Sequence, residues 1–164
     1  MHFLFAFCQW LEQTPVGTSV RDSLWLFPII ETVHLLALAF SVGIIIFVDL
    51  RLVGLAFRDR PVSEVFDRLQ PMALKGFAVN VVSGLLLYIS EPVKCYHSTY
   101  FMIKLALLFL LGLNAFSFQF YYRGVAAWDK AVVLPVRARF AGWLSLVFWA
   151  GVVVMGRAIA YASH

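Results

Sequence analysis

Residues 27–47 read FPIIETVHLLALAFSVGIIIF. The stretch is long and apolar enough to cross a bilayer, which takes about 20 such residues, yet it carries a carboxylate at Glu31 and an imidazole at His34. Outward from it the same pattern recurs. The first apolar run extends over about 23–50, and three more cover about 72–90, 99–122 and 136–162. These predict an all-α integral membrane protein, a bundle of four transmembrane helices forming one membrane domain over residues 1–164.

Composition agrees with that solvent. Of 164 residues 62% are hydrophobic and 13% charged, against roughly 45–50% and about 25% in soluble domains. A water-soluble fold of this length has too little interior to hide so much apolar surface. The opening MHFLFAFCQWLEQTP lacks the basic start and small-residue cleavage site of a signal peptide. With Trp10 between Gln9 and Glu12, residues 1–22 read as an interfacial segment with a short helix lying in the membrane surface.

Lys and Arg set the expected orientation. The link after the first span holds Arg51, Arg58, Arg60 and Arg68, and the link after the third holds Arg123, Lys130, Arg137 and Arg139; the opposite side has only Arg21 and Lys94. Both termini are therefore expected outside, periplasmic if the membrane is a bacterial inner membrane. The net charge of +4 is a topology signal, with no basic stripe that would suit nucleic acid.

At about 1.5 Å of rise per residue, Glu31 and His34 fall a third to a half of the way in from the outer face. Lys104 on the third span and Arg157 on the fourth come to similar depth. Charges in hydrocarbon cost at least about 2.5–3.5 kcal/mol and so turn toward partners. One reading is structural: Glu31 pairs with Lys104 or Arg157, and His34 bonds across a helix interface. The other is functional: Glu31 and His34, three apart on one face, form a site in which the carboxylate orients the imidazole as a metal or haem ligand. Asp49, Arg51, Lys75 and Asn114 make a second polar layer toward the inner side, read as anchoring except for the deeper Asn114.

Gly43, Gly76, Ser83, Gly84, Gly112 and Gly151 are candidate points of close helix approach. Cys8 and Cys95 are expected on the oxidising side, either bridged or as free thiols. His2, Cys95, His97, Met102 and Met155 on that side offer the nitrogen and sulfur donors that copper takes. No phosphate loop, nucleophile elbow or HExxH motif is present.

The segments WLFPIIETVHLLALAFSVGIIIFVDLRLVG, LKGFAVNVVSGLLLY, YFMIKLALLFLLGLNAF and MGRAIAYA together resemble a family of uncharacterised four-helix bacterial inner-membrane proteins over nearly the whole chain. More distantly, the histidine on the first span and the KLAL at the head of the third resemble the HemJ-type protoporphyrinogen oxidases, and KLALLFLLGLN is similar to the membrane domain of CopD-type copper proteins. The HemJ-type resemblance implies His34 as a haem-associated histidine and Lys104 as a functional lysine.

The resulting expectation is a membrane protein with haem b, the iron on His34, Glu31 orienting it, Lys104 beside it and Arg157 facing the propionates. Its work would be electron transfer or a redox step with a quinone, a porphyrin or a redox protein. Copper or proton handling by the same cluster is the alternative, and a non-catalytic subunit of a larger membrane complex, or of a homo-oligomer, the third.

Overall fold

The computed structural model describes residues 2–122 and 134–161. Arg123, Lys130 and the last three residues of the chain lie outside the described residues. Among the described residues, four helices are long and apolar enough to cross a membrane: α3 (Leu26–Val53), α4 (Val62–Ser90), α6 (Thr99–Tyr122) and α7 (Val136–Tyr161). Two shorter ones, α1 (His2–Glu12) and α2 (Pro15–Arg21), precede them, and α5 (Pro92–His97) joins α4 to α6.

Local chemistry accounts for the boundaries. The Thr14 hydroxyl accepts from the Gly17 amide at 3.2 Å, and Pro15 occupies the first turn, where its missing N–H is not needed. The N-terminal segment is thereby split into two helices. α3 stops at Gly54, whose left-handed backbone (φ 85°) turns its amide back onto the Leu50 and Arg51 carbonyls. Pro28 sits in the first turn of α3, and the Thr32 hydroxyl donates to its carbonyl at 2.7 Å.

α4 begins ten residues before the apolar run starting at Met72. The extension is polar on one face and buries Val62 and Phe66 on the other; Val62 packs with Leu52, Leu134 and Ala138. A helix boundary and a hydrocarbon boundary are different things.

The arrangement is two hairpins joined along one seam. α3 packs along α4, α6 along α7, and α3 against α7. At the α3–α4 crossing a Cβ on Gly76 would lie 2.9 Å from the Phe40 ring. On α7, a Cβ on Gly142 would lie 3.1 Å from the Asp49 carbonyl and from the Leu52 and Val53 side chains. One core cluster, Val42, Leu111, Trp149 and Val152, fills the centre. Phe40, Val82, Leu85, Phe109, Phe116 and Val154 are exposed around the outside, as lipid-facing side chains would be.

α1 lies against α5 and α4, and α2 against α4. Phe3, Leu4, Phe7 and Trp10 are exposed while Cys8 is buried. Cys8 and Cys95 are both free thiols, and the Cys8 sulfur contacts the Tyr88 hydroxyl at 3.6 Å.

Candidate functional site

Two polar layers lie in the bundle. In the layer nearer α5, α3 and α4 clasp each other: the Asn80 amide donates to the His34 backbone carbonyl at 3.0 Å, and His34 Nδ1 lies 3.1 Å from the Asn80 backbone carbonyl and 3.0 Å from Ser83 Oγ. A carbonyl only accepts, so Nδ1 carries the proton. The lone pair of the neutral ring is then on Nε2, which makes no hydrogen bond among the described residues. The ring is pressed onto α4, where a Cβ on Gly84 would come within 3.0 Å of Cε1. Any side chain at residue 84 would displace the imidazole.

Lys104 enters this layer from α6. It is half-buried, with its amino group 3.7 Å from the space a Cβ on Gly156 would occupy, and close enough to His34 and Cys95 to act on them electrostatically. The structure thus brings His34 and Lys104 into one region. Glu31 and Arg157 point elsewhere. Glu31 is exposed, and the partners that orient the imidazole are Asn80 and Ser83. Arg157 is exposed, donates to the Tyr161 hydroxyl at 3.1 Å and covers that ring.

The opposite layer is organised around Asp49. It is 5% exposed, and among the described residues its Oδ2 has no hydrogen-bond partner. The Ser145 hydroxyl is the side-chain partner of the carboxyl. Arg51, also buried, donates from Nε to the Arg60 carbonyl at 2.9 Å. Asn114 donates to the Ala141 carbonyl of α7 at 3.0 Å, the inter-helix bond its depth predicts. Lys75 is exposed. Asp49 and Asn114 line a cavity of about 280 Å³ between α3, α4, α6 and α7.

At the α5 end, His97 packs edge-on to Phe5 and Tyr96. Burial, and next to it the Glu91 carboxylate, pushes the Cys95 thiol up to about 11. No three His, Cys, Asp or Glu side chains gather into a metal-holding cluster among the described residues.

Sequence reading passed over Asn80, Ser145, Gln70 and Gln119. The available signal was an amide or hydroxyl inside an otherwise apolar helix, which in lipid has to find a partner.

Over residues 7–162 the chain matches the family described as "Family of unknown function (DUF6644)". It belongs to that family. No curated protein and no solved structure matches this DUF6644 chain. These comparisons therefore attach neither the HemJ-type nor the CopD-type name to it.

Proposed function

We propose that this DUF6644 protein is a membrane redox protein that holds a b-type haem through His34, in the half of the bilayer nearer α5. The observation that carries the reading is the state of the imidazole. Its Nδ1–H is spent on the Asn80 carbonyl and Ser83, which fixes the tautomer and leaves Nε2 as a lone-pair donor. Metal-bound histidines are held by their other nitrogen in this way. Such a haem supplies one-electron chemistry at iron.

The chain's residues do the rest. Asn80, Ser83 and Gly84 hold the ring against rotation, and Lys104 offers a cation in the same region, a role the exposed Arg157 is less well placed to fill. The HemJ-type resemblance at His34 and at the KLAL beginning at Lys104 supports the same assignment. The skew of Lys and Arg toward the links after α3 and α6 supports periplasmic termini in a bacterial inner membrane, with the His34 layer on the periplasmic side.

The test is an absorption spectrum of full-length protein purified from haem-sufficient cells. A Soret band that disappears or changes spin state in His34→Ala, and survives in Glu31→Gln and Arg157→Gln, is the expected result. Wild-type protein with no Soret band, or His34→Ala with the wild-type spectrum, overturns the reading.

A further inference from the structure

α4 and α6 are joined at both ends and separate in the middle. Toward α5 the Tyr88 and Phe101 rings stack, 5.7 Å between centroids and 5° between planes. At the other end Gln70 Nε2 donates to Gln119 Oε1 at 3.2 Å, and the Phe66 and Phe118 rings lie 5.7 Å apart. Between these clamps the two backbones make no close approach, and the gap opens into the 280 Å³ cavity. Leu74 and Phe77 on its rim are exposed. Because both helices are spans, the opening faces sideways, where lipid lies.

The walls are mostly apolar and partly aromatic, with Phe77, Phe118 and Trp149 among the lining residues. Gly112 on α6 is exposed at the mouth, where a Cβ would meet nothing within 4 Å. Four polar residues interrupt this lining, Gln70, Asn114, Gln119 and Asp49, and of these Asp49 is the charged type, nine-tenths buried with Oδ2 lacking a donor among the described residues. A buried acceptor left unpaired is costly, more so on a carboxyl group. Asn114 has spent an amide proton on Ala141, and the Gln70–Gln119 bond leaves a donor and an acceptor unused.

We propose that this window binds the ring of a membrane-resident hydroquinone, one ring hydroxyl hydrogen-bonding to the Asp49 carboxyl group and the apolar tail remaining in the bilayer. The orphan acceptor calls for an O–H or N–H donor, which an acyl chain lacks. A cationic amine carries a donor but would have to shed its water to pass the apolar rim. The cavity falls just short of the roughly 300–1,000 Å³ of sites that enclose a whole drug-sized ligand, so a ring enters and the tail does not. Aromatic side chains favour a flat ring. Only binding is assigned, with no electron transfer, and the assignment stands whether or not His34 holds haem.

The test uses the full-length protein in detergent micelles, kept anaerobic, titrated with a decyl-tailed benzohydroquinone and separately with its dimethyl ether. Tryptophan emission is the readout, with Trp149→Phe identifying the signal from the cavity wall, and thermal stabilisation is a second, independent one. The hydroquinone is expected to bind about tenfold tighter than the ether, the upper end for one hydrogen bond. Asp49→Leu should erase that difference, and Gly112→Leu, which fills the window, should abolish binding of both. Equal affinity of the two ligands for the wild type, undiminished binding by Gly112→Leu, or displacement of the hydroquinone by phospholipid alone overturns the proposal. Should Asp49→Leu fail to fold, the comparison of the two ligands on the wild type decides it alone.

Discussion

The His34 layer and the Asp49 layer are built to opposite standards. Around His34 the Nδ1 proton, the Asn80 amide and the Ser83 hydroxyl are all engaged, the last donating to the Val79 carbonyl at 2.8 Å. Around Asp49 a carboxyl oxygen is buried with no donor among the described residues. The first arrangement ties α3 to α4 and so contributes to stability. The second holds a polar group in a place where an apolar side chain would suit the surroundings better, and such a residue is more readily explained by what it binds than by what it stabilises.

That contrast can be broken by mutation, beginning with the wall behind Asp49. Gly142→Val would put a Cβ against three α3 groups at 3.1 Å, two of them the backbone carbonyl of Asp49 and the Cβ of Leu52. It is expected to cost about 1–3 kcal/mol, read as a lower midpoint of thermal unfolding in detergent. Gly112→Leu, facing open space, should leave the midpoint where it is. Equal losses from the two would mean that the cavity closes in solution.

A smaller effect separates the two layers directly. Asn80→Leu removes the bond to the His34 carbonyl and should cost about 0.6 kcal/mol, the average for side-chain bonds between membrane helices, and no more than about 1.7 kcal/mol. Asp49→Leu is expected to leave the midpoint unchanged or to raise it, because it removes a buried, half-satisfied group. A loss from Asp49→Leu as large as that from Asn80→Leu would make Asp49 a structural tie and end the distinction.

The smallest effect lies outside both layers, at Cys95, and serves as their reference. Its thiol is pushed from 9.0 to about 11 by burial first and by the Glu91 carboxylate second. A raised thiol value means that the folded chain holds the proton more tightly. The stabilisation from burying the neutral thiol is thus complete below pH 9 and lost as pH rises through 11. Alkylation of Cys95 should be slow at neutral pH without any disulfide and should accelerate toward pH 11, followed by mass spectrometry of the labelled peptide. Prompt labelling at pH 7 would show the thiol to be less buried than it is here.

Much of the fold was legible because lipid imposes a simple length rule. Residues 27–47 and the three other runs are apolar for as long as a span requires, and 27–47, 72–90, 99–122 and 136–161 are each found within a helix. The start of α4 was hidden, since Val62 and Phe66 are buried by contacts with other elements and not by hydrocarbon.

The site was legible in depth and illegible in rotation. Sequence spacing put Glu31, His34, Lys104 and Arg157 at one level, but three residues are about 60° of turn short of a full circle. That is enough for His34 to meet α4 while Glu31 faces outward. Asp49 was read as an anchor from its nearness to the helix end. Its burial comes from α7, through Gly142 and Ser145, and no local pattern on α3 announces a partner roughly ninety residues away.

That separation has a consequence for biogenesis. The His34 clasp lies wholly within the first hairpin and is available once α4 has been made, whereas the lid over Asp49 arrives with the last helix. At ~5–20 residues per second of translation, the nascent chain spends roughly 5–20 s with a carboxyl group on α3 that its own later segments have yet to cover. Until then that flank of α3 faces lipid or the insertion machinery, and the second hairpin must dock against it before the protein's interior exists.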